Sequence, residues 1–431
     1  GALLHARRCC YHQIMQSLQA LPEWVSLEHK VAQILTEQEI HGWHFDESAA
    51  RELELALRAE LQDLTEVLRA RFPFVPGAEF TPKRNNRTQG YVEGATFTRL
   101  KEFNPSSRDH IAWILTTHNG MTVSSTTASG KTVIDETTLK NHGTGLALQF
   151  LRILEITKSL GMISEGVNAW LKLSTKHRLH HHCSVATSTH RCAHRNPNLA
   201  QVPSDERFRR LFLPTPGQVM VGADLSGIEL RMLSHYLSRY DDYFGRELLH
   251  GDIHQANADK IGITRKLVKN VTYAFLYGAG DVKIGLTYDK QLPNAKAKKK
   301  GAEIREAFVS AIPGLADLLV AIKGASDRGY VKAIDGRKIL LSSPHVALNY
   351  LLQGSAGVIA KRWMVIANDN DYCCSQLAFV HDELQYECAP EHSEVLKSHL
   401  EATAAEAGAY YNLRIPIAAE GKIGNNWAEV H

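Results

Sequence analysis

The sequence predicts an α+β fold, and three observations carry that expectation. Apolar residues recur at helical spacing through most of the chain, VMVGAD (Val219–Asp224) reads as a buried strand, and LAFVHDELQYEC reads as a hairpin. The 431 residues suffice for two to four structural units with substantial cores. Hydrophobic residues make up 44% and charged residues 22%, an ordinary soluble globular composition. Net charge is only +3, so a polyanionic partner has to be met by local clusters. Cys9, Cys10, Cys183, Cys192, Cys373, Cys374 and Cys388 make no disulfide-like framework, which fits a reducing cytosol. No apolar run approaches the roughly 20 residues that span a bilayer, so no membrane association is expected. Residue 1 is Gly, and 1–25 read as the remnant of an N-terminal region.

Helical spacing begins at Ser26, through Val31, Ile34 and Leu35, and HGWHFDES breaks it. Asp46 or Ser48 can cap a long helix to about Phe72, with Leu53, Leu57, Leu61, Leu64 and Leu68 on one side. Residues 73–107 are rich in Pro, Gly, Asn and Arg and read as an exposed connection with Lys83, Arg84 and Arg87 at its tip. A second long helical region is expected from Glu136 to Leu173. Two helices and a basic tip fit a grip on a polyanion, and equally a plain helical hairpin with solvated charges.

Residues 177–194 concentrate His177, His180, His181, His182, Cys183, His190, Cys192 and His194. No Cys-x-x-Cys or His-x₃₋₅-His pairing with a matching Cys pair appears, so the spacing argues against zinc. NPNLAQVP follows as an amide-rich loop, then Arg207, Arg209 and Arg210 as a short basic cluster. The strand ending at Asp224 runs through Ser226-Gly227 into a helix from Ile228 to Tyr240, with Glu229 in its first turn. A carboxylate there suits either a metal ligand or a helix cap. Lys296, Lys298, Lys299 and Lys300 read as a solvated face, and Asp335-Gly336 as a tight turn between strand-like VKAI and KILL. A helix from about Pro344 to Asn368 carries His345, Asn349 and Gln353 at a four-residue step. In LAFVHDELQYEC the acids Asp382 and Glu383 fall at the bend of an apolar hairpin, which suits a divalent cation held by hard oxygens.

One stretch links these pieces: RKLVKNVTYAFLYGAG places Arg265, Lys269, Tyr273 and Tyr277 four residues apart, followed by Gly278 and Gly280. Each step turns the side chain by about 40° and climbs about 6 Å, so the four form a slanting stripe roughly 18 Å long. Two cations one turn apart suit a chain of phosphates, and a tyrosine can stack on a base. The same stripe also fits a solvated basic face beside two core tyrosines.

Together, Asp224-x₄-Glu229, the Arg265/Lys269/Tyr273/Tyr277-Gly278 helix and His381-Asp382-Glu383 resemble, in order and separation, the three signature motifs of the A-family DNA polymerases. NPSSRDHI, PNLAQVP, ELRMLSHY, HGDIH, FLYGAGDVKIG and ALNYLLQGSAG extend the resemblance over nearly the whole chain. The likeness is strongest to bacteriophage replicative polymerases of the group that includes the thioredoxin-using one. It implies a right-hand architecture, with a thumb at 26–175, a palm at 176–235 and 341–431, and fingers at 236–340. It also implies a monomer working in the cytoplasm, that of a bacterial host if phage-encoded.

The same resemblance assigns roles. Asp224 and Asp382, with the carbonyl of Leu225, would hold two Mg²⁺ ions, for which Mn²⁺ can substitute, and Glu383 would support them. Arg265 and His254 would take the outer phosphates of a dNTP and Lys269 the phosphate nearest the reaction, with Lys269 a candidate to protonate the leaving pyrophosphate. Tyr273 would lie against the incoming sugar and base, and Tyr277 near the templating base, with Gly278 leaving room beside it. Glu229 would be the steric gate against a ribose 2′-hydroxyl. Arg191, Asn198, Gln201, Asn349, Gln353 and His381 would touch primer–template DNA, in part through minor-groove acceptors common to all base pairs.

The chain departs from the family pattern in three places. His190 stands where the family has Gly, which tolerates positive φ. No Asp-x-Glu exonuclease signature precedes the first long helix, so no 3′–5′ proofreading is expected of this segment. The 73–107 connection is shorter than in the thioredoxin-using relative, which argues against a thioredoxin clamp. The alternatives to a DNA polymerase are a single-subunit RNA polymerase, against which Glu229 and Glu383 weigh, and a non-catalytic zinc protein built on 177–194.

Overall fold

The computed structural model describes residues 21–122, 126–127, 129–185, 187–290, 292–370 and 372–431. The Cys9–Cys10 pair lies outside them. The described residues divide into two compact units, 21–47 with 173–431, and 48–172.

In the larger unit the apolar strand expected at 219–224 forms, as Val219–Leu225. It lies inside a four-stranded antiparallel sheet of order Cys374–Val380, Glu383–Cys388, Val219–Leu225, Ala419–Gly424. The expected hairpin is the first two of these strands, paired from Cys374↔Cys388 to Val380↔Glu383 with a bulge after Gln376. In the same core runs the helix Ala347–Asn368, whose Leu351, Leu352, Ile359, Trp363 and Met364 are buried. It packs against the helices Ser393–Tyr410, Glu23–His41 and Ile228–Leu237. Its expected first turn is instead a 3₁₀ segment, Pro344–Val346.

The helix foreseen from Ser26 starts at Glu23 and buries Leu27, Val31 and Leu35 in this same core. Its Glu28 meets two buried cations, Lys361 at 2.8 and 2.9 Å and Arg337, which also holds Asp335 at 2.7 Å. Residues 26–47 therefore belong with the sheet, and the second compact unit begins after the boundary expected at 26. The tight turn at Asp335-Gly336 forms, with Gly336 at φ 81 between Tyr330–Lys332 and Lys338–Leu340.

The smaller unit holds the first long helix, Glu47–Arg71. The second long helix is broken, because Gly143 turns left-handed (φ 67) and Thr144 caps a new helix, Gly145–Leu160. The 73–107 connection is more ordered than a plain loop. Phe74–Phe80 pairs with Phe97–Glu102, and Phe80, Tyr91 and Phe97 stack together at 4.9 to 6.0 Å.

Among the described residues no single helix is long and apolar enough to cross a membrane.

Glycine decides one packing contact. The helices Asp281–Tyr288 and Asn294–Ala311 touch backbone to backbone: a Cβ on Gly301 would fall 1.7 Å from the carbonyl oxygen of Asp281, and one on Gly285 1.8 Å from that of Ala297. Neither carbonyl can swing away, so Gly301→Ala forces the helices apart. It is expected to cost about 3 kcal/mol, the upper part of the range for overpacking. Denaturant titration checks this; an unchanged unfolding midpoint refutes it.

Candidate active site

Strand register builds the acidic centre. Asp224 stands opposite Glu383 on one side and Glu420 on the other. The Leu225 amide donates to the Asp382 carbonyl at 3.0 Å, which clasps the strand end to the hairpin turn. His381, in that turn, holds a left-handed φ of 59, uncommon for a residue with a Cβ. Only Asp382 sits at the bend. Glu383, expected beside it there, is the first strand residue and is buried.

The carboxyls repel one another. Asp224 is accessible at its strand end yet ringed by protein. It is pushed up to about 7, first by desolvation and then by Asp382, Glu383, Glu229 and Glu420. Asp382 is pushed up to about 6, by desolvation and then by Glu229, with Arg191 opposing. Burial raises Glu383 too, against hydrogen bonds that favour its charge. Those bonds come from residues that motif reading missed: Trp427 Nε1 at 2.6 Å, Gln385 Nε2 at 2.5 Å and His431 Nδ1 at 2.9 Å. Trp427 is held by Trp43 and Phe212, at ring separations of 4.9 and 5.3 Å. Arg209, from the expected basic cluster, lies over the Trp427 ring, while Arg207 and Arg210 pair with Asp205 and Glu206. Only the repetition of large apolar residues hinted at this support.

The stripe helix runs Arg265–Leu276, capped by the Thr264 hydroxyl, with Val268, Val271, Thr272, Phe275 and Leu276 buried. Arg265 and Lys269 are exposed and Tyr273 half-buried on the other face. Tyr277 is the C-cap and not a helical residue, since Gly278 turns left-handed at φ 73. Gly278 is thus required by the backbone, and a Cβ there would meet only the His345 carbonyl, at 3.6 Å. Asn349 is engaged locally, donating from Nδ2 to the Leu276 carbonyl at 3.0 Å and so holding the helix end. Arg265 pairs with Asp252 at 2.7 Å, and Asp252 also caps the helix Ile253–Ile261. On that helix His254 is buried beside Tyr273, with its Nδ1 unpartnered among the described residues. Desolvation, then Arg265 and Lys269, lower its pKa.

Glu229 joins the two halves. Its Oε1 accepts from Arg191 Nη2 at 3.1 Å and from the Tyr277 hydroxyl at 3.3 Å. Burial and the Glu229 charge raise the phenols of Tyr273 and Tyr277. His190 adopts φ 60, the conformation its usual Gly would take, and its ring nitrogen meets the Lys338 carbonyl at 3.3 Å. Arg191 therefore reaches the site despite the His. Gln353 is half-buried on the long helix, and Asn198 and Gln201 are exposed at a short turn, where Asn198 caps the Ala200 amide.

A sheet-borne acidic pair tied through one glutamate to a basic, aromatic helix has the build of a nucleotide-transferring polymerase. A family model described as DNA polymerase family A matches residues 79–429. The DNA-directed DNA polymerases of Enterobacteria phage T3 and Escherichia phage T7 are each 32% identical to this chain, over 95% of it and 70% of the relative. In fold, the POL domain of Pol1 from M. smegmatis, solved in complex with DNA primer-template and dNTP, matches with a TM-score of 0.76 over 93% of this chain and 70% of that one, at 20% identity. The chain belongs to DNA polymerase family A. It is an enzyme of DNA-directed DNA synthesis, and the RNA polymerase and non-catalytic alternatives fall away.

The raised carboxyls make stability depend on pH. An ordinary Asp titrates near 3.9, so the folded chain holds extra protons through the window up to about 7. The contribution of this pair to stability is then greatest at the acid end of that window and falls as pH rises through the folded values. In chelated buffer, Asp224→Asn is expected to flatten this fall and raise the melting temperature at alkaline pH. Thermal melts across the window test it, and identical pH profiles for both proteins contradict it.

Proposed function

We propose that this chain extends a primer 3′-hydroxyl along a DNA template, adding dNTPs and releasing pyrophosphate with two Mg²⁺ ions, or Mn²⁺ in their place. The observation that carries the reading is the clasped Asp224–Asp382 pair, two carboxyls raised by desolvation and neighbouring negative charge. Hard oxygen donors short of positive charge suit Mg²⁺, and Asp224, Asp382 and the Leu225 carbonyl would hold the ions. When bound, such ions favour ionisation of the primer hydroxyl and neutralise charge on the leaving pyrophosphate.

The chain's own residues do the rest. Lys269 is exposed and free to meet the phosphate nearest the reaction and to give its proton to pyrophosphate. Arg265 exchanges its exposed Asp252 partner for an outer phosphate, and His254 offers its unpartnered nitrogen to the same end. Tyr273 packs against sugar and base, and Tyr277 against the templating base. Glu229, gripped by Arg191 and Tyr277, fills the space of a 2′-hydroxyl. Gln353, His381, Arg191, Asn198 and Gln201 touch primer and template, while Asn349 anchors the helix end. In this reading the sheet is the palm, 236–340 the fingers, and 48–172 most of the thumb. The relatives' names and the DNA and dNTP in the solved neighbour support these partners.

Primer extension with Mg²⁺ tests the assignment. Asp382→Asn is expected to lower the rate at least about 10³-fold, the equivalent of several kcal/mol of lost charge stabilisation. Extension at the parent's rate would sink the two-metal reading. Tyr273→Phe is expected to raise discrimination against dideoxynucleotides, and unchanged chain termination in a sequencing ladder would contradict that role.

A further inference from the structure

The eight His and Cys side chains of 177–194 do not stay together. His180 meets the Glu39 carbonyl at 2.8 Å, His182 the Glu39 carboxylate at 2.7 Å, and His177 lies 3.6 Å from Glu47. His190 is drawn to Lys338, and Cys192 is buried outside the group of donor atoms described next, though near enough for its charge to raise the Cys183 thiol. The three that remain are brought together by a short hairpin, His182–Ser184 with Ala193–Arg195, whose register sets Cys183 opposite His194.

His181, Cys183 and His194 are all buried, and one donor atom from each lies within 4.8 Å of the others. The Cys183 Sγ is 3.8 Å from His181 Nδ1 and 3.2 Å from His194 Nδ1. A tetrahedral Zn²⁺, at about 2.3 Å from sulfur and about 2.0–2.1 Å from nitrogen, sets S and N about 3.5 Å apart. The two separations bracket that value.

The surroundings are those of ligands and not of a chance contact. His181 turns its Nε2 to the Leu377 carbonyl at 2.9 Å, which fixes the tautomer that leaves a lone pair on Nδ1. Gln38 points Nε2 at Sγ from 3.8 Å while its Oε1 accepts from Gln376 at 2.8 Å, an amide oriented to favour a thiolate. No described Lys or Arg pairs with the cluster. His194, only 8% exposed, has Nε2 buried with no partner among the described residues. Without a metal, these three buried polar side chains share only weak S–H···N contacts, a poor exchange for their desolvation.

We propose that His181, Cys183 and His194 bind one zinc ion, as a two-nitrogen, one-thiolate set with a fourth position open. Binding releases the Cys183 proton to solvent as the thiolate forms. The ion braces the acidic hairpin. Leu377, gripped by His181, lies in the strand that leads to Asp382, and the His194 ring stands edge-on to that of His381 at 6.0 Å. The donors are soft and separate from the hard carboxylates of the catalytic pair, so this proposal does not depend on the two-metal reading.

Metal analysis and cobalt replacement of the full chain test it. Protein expressed with zinc and purified without chelator is expected to carry one equivalent. The cobalt form is expected to show the near-ultraviolet charge-transfer band of a Co²⁺–thiolate bond. Asp382→Asn keeps the band; Cys183→Ser loses it and binds zinc at least about tenfold more weakly. A folded cobalt-treated parent without the band overturns the proposal, whatever the variants do. So does a band that survives Cys183→Ser, since another thiol then holds the metal.

Discussion

The site depends on one constraint, the antiparallel register that fixes Asp224 beside the turn of the 374–388 hairpin. Glu383 stands opposite Asp224, and the Leu225 amide is bonded to the Asp382 carbonyl. Backbone hydrogen bonds, which do not titrate, thereby hold together carboxyls that repel one another. Desolvation first, and neighbouring negative charge second, raise both Asp224 and Asp382. The helix Ser393–Tyr410, packed on Val219–Leu225 and Ala419–Gly424 with Leu396, Leu400, Ala404 and Ala407 buried, supplies burial that holds this sheet together.

The second link in the chain of dependence is Glu229. It is the meeting point of Arg191, which comes from the connection between the two strands of the histidine-rich hairpin, and Tyr277, which ends the stripe helix. Arg265, Lys269 and Tyr273 are local consequences of a four-residue step, but their placement depends on what secures the helix ends. At one end Thr264 caps, and Asp252 ties Arg265 to the neighbouring helix. At the other, Gly278 supplies the left-handed turn and Asn349 holds the last carbonyl. The contacts of Arg265 and Tyr277 are exposed and few, while the opposite face of the helix, with Val268, Val271, Phe275 and Leu276, is buried.

Legibility in the sequence followed the range of the interaction. Period-two and period-four patterns located the central strand, the hairpin and the stripe helix, because burial of one face is a local demand on spacing. The second long helix was misjudged, since Gly143 and Thr144 together make a stop and a start inside one periodic run. The 73–107 segment looked like a loop because its strands are short and mostly exposed. Trp427 and His431 carry no motif, and they matter only because the last strand delivers them to Glu383.

The histidine-rich segment marks the division most clearly. Residue types and spacing alone determined that donors were plentiful, that the central strand ended in an acid, and that a basic and aromatic stripe lay on one helix face. Three separations were decided only in three dimensions: Asp224 from Asp382, Glu229 from Tyr277, and Cys183 from His194. Each is set by strand register or helix packing, between distant segments for the first two and across one short hairpin for the third, and a linear spacing rule contains no term for such pairing. A histidine standing at φ 60 where glycine is usual belongs with them, because only the surrounding contacts decide whether the backbone bears it.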